Sequence, residues 1–424
     1  MRATPTTHVE PARWSGITRP DALRCDVSAV RAACEATLRQ NWREGVRHAD
    51  GVAFAYTRPS PGHYPFQWYW DSCFTSIVWR RFEAVHARAE LESLLAAQRE
   101  DGFIGHTIFW DTPLNERQRF TYNVTTTDAP MTASIQPPML AWAWRIAAGD
   151  PSSVPAIGRH YDWLAANRDL DGDGLIWIVQ PDESGLDASP QFDAIWGARA
   201  HGLPGFVLLV HRNRHLTYDL RRILDHGGPV CCEVLTNVLQ SLSLMALGRP
   251  SLTRAIVARM YDEQAGLFRP LTLPEDEQMP VLTWAALAPL ALPDLPEAIG
   301  RRLVEEHLLD PKRFWLPIPP ASVSATEPAF SVRDSTPGVR RYWRGPTWIN
   351  AAWLMWLGLV RLGYLEQAEL LRARIGAAVA EAGLREYYDP YTGRGMGASG
   401  FGWSALVLEL LEPDPRACSS YLSS

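Results

Sequence analysis

The sequence contains no apolar run long enough to cross a bilayer, and residues 1–8 hold no apolar segment of the kind found in secretory signals. Basic runs are also absent: the 41 lysine and arginine residues are scattered among 47 acidic residues, which gives a net charge of -6. This composition argues against nucleic acid and membranes as partners. We expect a soluble cytoplasmic protein whose partner is a small molecule; a homo-oligomer stays open.

Cysteine is scarce, and no metal or disulfide pattern is present among the six, which are Cys25, Cys34, Cys73, Cys231, Cys232 and Cys418. Their spacing matches neither a disulfide framework nor a Cys-x-x-Cys site. The simplest interpretation is free thiols in a reducing compartment.

Several well-known catalytic motifs are missing or incomplete. There is no His-Glu-x-x-His and no Gly-x-Ser-x-Gly, so zinc-protease and serine-hydrolase chemistry are not predicted. The glycine pattern at 395–400 matches a dinucleotide fingerprint but follows no clear strand. The stretch 169–174 begins like a calcium loop, but Gln180 stands at its twelfth position, where glutamate is required. We therefore predict no cofactor and no metal, with an adventitious calcium at 169–173 left open.

What the chain does contain is a large apolar fraction, 46%, and 18 tryptophans. Apolar residues recur at helical spacing, for example at 230, 234, 238, 242 and 245. We predict helices at roughly 26–43, 66–82, 84–98, 130–147, 152–166, 189–199, 214–226, 229–247, 251–263, 279–290, 294–309, 345–362, 365–381 and 400–411, and short strands at 103–110, 175–179 and 313–318.

This pattern predicts an all-α protein with an N-terminal arm at 1–24 and one domain over 25–424. A ring of six helical hairpins would use the helices, and an α-solenoid fits the same count. The connecting segments are long, and long loops in a compact domain are usually functional. They favour an enzyme with a pocket built from loops.

One acidic loop is the first candidate to carry a catalytic residue. Residues 182–193 hold four carboxylates among turn-forming residues, directly after an apolar run. Asp187 lies beside Leu186 and Ala188, and an apolar neighbourhood raises a carboxyl pKa, so that a proton is available near neutrality. Asp187 is the predicted general acid, although for any single loop acid a solvated or capping role is the more common one.

Two aromatic stretches are the next candidates. In residues 63–74, Trp68 and Asp71 lie three positions apart, which puts them on one helical face and suits a sugar that stacks on the ring. The structural alternative is a core cluster with Asp71 as a buried cap, which the composition alone favours. In residues 342–350, Arg344 is either an ion-pair partner or a donor fork for a ligand oxygen.

A second acid lies near the end of the chain. Glu386 follows a helix that ends near Gly383 and is flanked by Tyr387 and Tyr388. It is the predicted general base. Acids some two hundred positions apart can meet only if the chain closes on itself, as it does in a barrel.

Taken together, these stretches resemble glycoside hydrolase family 63, and within it the mannosylglycerate and glucosylglycerate hydrolases. The resemblance covers residues 50 to 411 and rests on five short motifs in the family's order, at 64–71, 102–110, 183–187, 342–348 and 386–393. It implies an (α/α)6 barrel with long loops on one rim that form the active site. It also implies inverting hydrolysis of an α-glycoside, which requires two carboxyl groups roughly 6.5–9.5 Å apart.

The resemblance also implies roles for individual residues. The family's acid falls on Asp187 and its base on Glu386. Its sugar-binding residues and the matching motif positions fall on Tyr64, Trp68, Trp70, Asp71, His106, Gln136, Trp343, Arg344, Trp348 and Trp403. In the glycerate-specific members, aglycone contacts would fall on Tyr387 and Tyr388, and an arginine for the carboxylate on Arg221.

Other functions remain open at this point. A trehalase-like glycosidase would share the barrel and both acids. A sugar epimerase would leave the mass of its substrate unchanged and would rely on histidine. A non-catalytic sugar-binding protein would keep its function after Asp187→Asn and Glu386→Gln. The sequence does not say whether the sugar is glucose or mannose, or what the aglycone is.

Overall fold

Helices dominate the described part of the chain, which in this computed structural model comprises residues 23–112, 114, 116, 131–197, 203–274, 281–333 and 342–413. The predicted N-terminal arm lies almost wholly outside these residues. The α-helices are α1 (Val27–Asn41), α2 (Tyr69–Trp79), α3 (Ala84–Ala96), α4 (Leu140–Ala147), α5 (Pro155–Arg168), α6 (Asp193–Trp196), α7 (Leu203–His215), α8 (Leu220–Asp225), α9 (Val234–Ala246), α10 (Thr253–Met260), α11 (Glu297–Arg302), α12 (Ile349–Arg361), α13 (Leu365–Ala382) and α14 (Val407–Leu411).

Six helical segments contact one another in succession and close into an inner ring. The order is α2, α4, α9, the 3₁₀ helix Trp284–Ala291, α12, and the 3₁₀ helix Gly402–Leu406 with α14, which returns to α2. Every residue of α2 and of Trp284–Ala291 is buried. These segments are buried on all sides because the ring gives each of them two inner neighbours and a cover.

The cover consists of α1, α3, α5, α10, α11 with the π-helix Leu303–Leu308, and α13. These outer helices have a single buried stripe, as in α1, where Val30, Cys34 and Leu38 are buried. Helix α3 packs on α2, and α13 packs on α12. Inner and outer helices alternate along the chain, so the described residues form six hairpins. The predicted all-α class and the ring of hairpins are confirmed.

Short strands occur only as two-stranded pairs in the connections of the described region: Trp42–Val46 with Ala53–Thr57, Gln67–Trp68 with Thr107–Ile108, Val230–Cys232 with Leu271–Leu273, Tyr261–Asp262 with Leu267–Phe268, and Arg385–Tyr388 with Gly395–Ser399. All are antiparallel. The pair Arg385–Tyr388 and Gly395–Ser399 carries Glu386 and fixes it to the rim.

Several predicted elements were wrong in detail. The predicted strand 103–110 is a strand only at Thr107–Ile108, 175–179 forms isolated bridges at Ile176 and Ile178, and 313–318 is a turn. The predicted helix 214–226 covers the last two residues of α7 (Leu203–His215) and all of α8, and the rest of α7 was not predicted. The helix predicted at 279–290 is the 3₁₀ helix Trp284–Ala291, which contains Pro289. In each case tertiary contacts decided between conformations that the local sequence leaves close in energy.

No helix among the described residues combines the length and the apolar character needed to span a membrane.

Candidate active site

The starts of the inner helices meet at one rim of the ring, and most of the predicted site residues lie there. Trp70 is at the start of α2, Trp348 immediately precedes α12, and Trp403 is in the first turn of Gly402–Leu406. The ring centroids of Trp70 and Trp403 are 5.0 Å apart, and those of Trp348 and Trp403 are 5.8 Å apart. Helix starts present free backbone N–H groups, which favour anionic side chains at this rim.

Asp71 is in the first turn of α2 and is 4% exposed. Burial is the main reason that its pKa is raised well above the usual value, and the negative charge of Glu386 is the next cause. Asp187 and Glu90 raise the pKa of Asp71 further. The charges of Glu386, Glu90 and Asp187 all act on Asp71, so these carboxyl groups lie in its neighbourhood.

Glu386 is held by three hydrogen-bond donors. The hydroxyl groups of Tyr64, at 2.9 Å, and of Tyr342 donate to Oε1, and the backbone N–H of Ala398 donates to Oε2 at 2.8 Å. The side chain is 3% exposed. Gly397 faces it with φ +64°, and a Cβ there would lie 2.5 Å from Glu386 Oε2. The hairpin therefore closes around the carboxylate because position 397 has no side chain.

The loop that carries Asp187 is anchored by a buried ion pair. Arg168, at the end of α5, donates from its two terminal nitrogens to the two carboxylate oxygens of Glu183, at 2.8 and 2.7 Å. Glu183 also accepts from the backbone N–H groups of Ile135 and Val179. Four donors fix this carboxylate, and the turn that follows leads to Asp187, which is half-buried.

The turn that leads to Asp187 packs directly on Trp70. Gly185 has φ +69°, and a Cβ at this position would lie 2.5 Å from the ring of Trp70. The backbone N–H of Trp70 donates to Gln136 Oε1 at 2.9 Å. Trp70 thus links the start of α2, the Asp187 loop and Gln136.

An aromatic wall forms another side of the site. Trp343 stacks on Trp348 with the ring centroids 3.8 Å apart and the planes 9° apart, and Tyr387 lies 4.7 Å from Trp348. The buried indole N–H groups of Trp343, Trp348 and Trp403 have no acceptor among the described residues. Buried donors are normally paired, so a water molecule or a ligand hydroxyl would satisfy them.

Tyr64, Trp68 and His106 continue the wall. Tyr64 and Trp68 meet edge to face at 5.9 Å, and Trp68 meets His106 at 5.2 Å. His106 Nδ1 lies 3.5 Å from Asp182 Oδ2, in the 3₁₀ turn Pro181–Ser184 that precedes Gly185. The row runs from the Glu386 side of the site to the Asp187 loop.

Two of the predicted residues do not join this group. Arg221 is exposed, and its guanidinium donates to the carbonyl oxygens of Asp169 and Leu170 at 3.3 Å. Tyr388 is fully buried, and its hydroxyl donates to the carbonyl of Gly383 and accepts from the N–H of Arg385. These contacts occupy Tyr388 within its own hairpin and hold Arg221 on the acidic turn, so neither residue has the geometry expected for an aglycone contact.

Arg344, unlike the exposed Arg221, is buried and follows Trp343 of the aromatic wall. It is 4% exposed, and it forms an ion pair with Asp193, six residues after Asp187. Its Nε–H has no acceptor among the described residues. Both interpretations of Arg344 from the sequence therefore survive: it is an ion-pair partner that still has a free donor.

Two residues of this site were missed from the sequence. Tyr342 contacts Glu386 directly, and Asp193 pairs with Arg344. Both lie in stretches that the sequence analysis identifies: Tyr342 precedes Trp343, and Asp193 follows Asp187 by six positions. Their partners lie 44 and 151 positions away, and no local pattern reports such contacts.

The acidic turn of Asp169, Asp171 and Asp173 brings three carboxylates together. Asp169 accepts from the backbone N–H groups of Gly172 and Gly174, and Arg259 donates to both Asp171 and Asp173. A cation supplied by the chain itself therefore already lies on this turn, which supports the turn interpretation.

Comparisons with known proteins show which proteins the chain is similar to. The chain is 29% identical to a mannosylglycerate hydrolase of Thermus thermophilus, over 83% of this chain and 95% of that protein. It is 27% identical to a glucosylglycerate hydrolase of Mycolicibacterium hassiacum, over 83% of this chain and 93% of that protein. The crystal structure of a family 63 mannosylglycerate hydrolase from Thermus thermophilus with Tris and D-glycerate matches with a TM-score of 0.73 and 28% identity, over 90% of this chain and 99% of that one.

A neutral trehalase from Saccharomyces cerevisiae matches with a TM-score of 0.54 at 15% identity, so it shares the fold alone. The (α/α)6-barrel class is confirmed by these structures. The family model described as the mannosylglycerate hydrolase MGH1-like glycoside hydrolase domain matches residues 64–249 and 249–404. This match spans most of the chain and includes both predicted acids, and the chain therefore belongs to the MGH1-like glycoside hydrolases.

Proposed function

We propose that the chain hydrolyses a small α-glycoside of glycerate with inversion, using Asp187 as the general acid and Glu386 as the general base. The observation that carries the proposal is that the turn before Asp187 packs at Gly185 on Trp70, next to the buried Asp71, while Tyr64, which donates to Glu386, packs on Trp68. The charges of both acids also act on Asp71. In an inverting mechanism the acid protonates the leaving oxygen while the base removes a proton from water on the opposite face of the sugar.

The surroundings of the two acids support different roles. Glu386 is buried and oriented by Tyr64, Tyr342 and Ala398, which suits a base that positions a water molecule. Asp187 is half-buried on a turn between Leu186 and Ala188, both buried, where a proton can be delivered to a departing group.

The remaining residues fit a sugar between these acids. Asp71 is placed to accept hydrogen bonds from sugar hydroxyls, and the rings of Trp68, Trp70 and Trp403 offer apolar faces for the sugar ring. The unpaired indole donors of the wall are suited to hydroxyl acceptors. His106, Gln136, Trp343 and Trp348 complete the lining as supports of this surface.

The glycerate carboxylate needs a cationic partner in a chain of net charge -6. Arg344 is preferred to Arg221 for this role because it is buried beside the Asp187 loop and keeps an Nε–H donor. Tyr387, on the aromatic wall, is the remaining tyrosine candidate for an aglycone contact. The names of the two hydrolase relatives support glycerate as the aglycone and leave glucose and mannose both open.

The test is release of monosaccharide from glucosylglycerate, mannosylglycerate and trehalose, followed by proton NMR of the first product. Hydrolysis of a glycerate glycoside with the β-anomer formed first is expected. Asp187→Asn and Glu386→Gln should each lower kcat by about 10²–10⁴-fold. Release of the α-anomer would indicate a double displacement, and a preference for trehalose would reject glycerate as the aglycone.

A cytoplasmic location belongs to the same proposal. It is supported by Cys25, Cys34, Cys73, Cys231 and Cys232, which are free thiols in the structure. The sixth cysteine lies outside the described residues.

A further inference from the structure

Glu90 is a buried carboxyl group that the proposed mechanism does not use. It lies in the outer helix α3 with no exposed surface, and it faces α2, the helix that carries Asp71. The backbone N–H of Thr57 donates to its Oε1 at 3.1 Å, and the Thr57 hydroxyl donates to its Oε2 at 2.8 Å. Thr75 Oγ1 lies 2.6 Å from Oε1.

These partners are all neutral. Thr57, Thr75 and Ser72 supply the side-chain hydrogen bonds of Glu90, and no cation is among its partners within the described residues. An isolated charge in such a place is costly, and a carboxyl group normally avoids the cost by keeping its proton.

The hydrogen-bond partners of Glu90 are compatible with a proton on Oε1. The Trp79 indole N–H donates to Thr57 Oγ1 at 2.8 Å, so the Thr57 hydroxyl is left to donate to Oε2. Thr75 Oγ1 is also 2.9 Å from the carbonyl oxygen of Asp71, and a hydroxyl has a single proton. If Glu90 donates from Oε1 to Thr75, the Thr75 hydroxyl can donate to the carbonyl oxygen of Asp71.

We propose that Glu90 is a positioning residue for Asp71, acting as a neutral carboxylic acid that orders the start of α2 through Thr75. Its proton also keeps a further negative charge away from Asp71. When Glu90 ionises, its proton goes to solvent and the Thr75 hydroxyl turns towards Glu90, so the carbonyl of Asp71 loses that bond.

The electrostatics agree with this geometry. Burial raises the pKa of Glu90 to about 8, and the charge of Glu90 is one of the causes that raise the pKa of Asp71. On α2 the titratable groups near Glu90 are Asp71 and Cys73. Strand Ala53–Thr57 contacts Glu90 through Thr57. On α4, the charged Arg145 donates to Asp150 and to the carbonyl oxygen of Ala246 instead.

The first test is the melting temperature of wild type and Glu90→Gln across pH. A buried acid with a raised pKa binds a proton in the folded state that the unfolded chain has released, so stability falls as pH rises from about 4.5 to about 8. Glutamine does not titrate, so the Tm of Glu90→Gln minus that of wild type should rise over this window. A flat difference would mean that Glu90 is already ionised, which overturns the proposal. This readout needs no substrate and is independent of the proposed function.

The second test is the pH profile of kcat/KM. Wild type should lose up to about tenfold per pH unit above about 8, and Glu90→Gln should lack that inflection. Thr75→Val removes the hydroxyl at nearly constant shape and should lower kcat/KM at all pH values, whereas Thr75→Ser keeps the hydroxyl and should retain activity. Profiles of Glu90→Gln and Thr75→Val that both superimpose on wild type would reject a positioning role.

Discussion

Replacing Arg168 by methionine should disrupt the loop that carries Asp187. Arg168 and Glu183 are 1% and 0% exposed, and the guanidinium bonds both carboxylate oxygens. Removing one partner of a buried ion pair leaves the other charge uncompensated, which typically costs about 3–5 kcal/mol. The two N–H donors that remain, from Ile135 and Val179, offset only part of this cost.

The assay is urea unfolding of wild type and Arg168→Met, with kcat measured on the folded fraction. A matched control is Arg259→Met, which removes an arginine from the more exposed pairs with Asp171 and Asp173 and should cost less than about 1 kcal/mol. Adding Glu183→Gln to Arg168→Met should recover part of the stability because no buried charge remains. If Arg168→Met costs no more than the control, the loop is not anchored by this pair.

Three further changes test the site and its surroundings. Gly185→Ala should lower the free energy of unfolding by about 2–3 kcal/mol, because of the positive φ and the contact with Trp70. The control Gly172→Ala, at φ +77° with no atom within 4 Å, should show the cost of the backbone strain alone. Equal losses in urea unfolding would contradict the close packing of Gly185 on Trp70. Burial lowers the pKa of His160 to about 4, so the free energy of unfolding of wild type should fall by up to about 3 kcal/mol as pH falls from 6.5 towards 4. The free energy of unfolding of His160→Gln should fall less over the same range. Parallel pH curves for the two proteins would contradict this. Arg344→Ala should raise KM for a glycerate glycoside more than for a neutral glucoside, and Arg221→Ala should change neither; the opposite result would restore Arg221.

The sequence alone predicts the class of fold and the stretches in which the candidate site lies. Helical periodicity identified most of the inner helices, because the apolar residues of α9 and α12 recur at helical spacing and are buried. The acidic loop and the aromatic stretches were found from composition and order alone. The sequence also predicts the two acids, Asp187 and Glu386.

Only the tertiary structure decided which side chains meet. Tyr342 and Glu386 are in contact across 44 positions, Arg344 and Asp193 across 151, and Tyr64 and Glu386 across 322. Arg221 and Tyr388 belong to plausible stretches but turn to backbone carbonyls instead. The physical reason is that periodicity reports which face of an element is buried, whereas the closure of the ring, a sum of contacts between distant segments, sets the partner of each buried group.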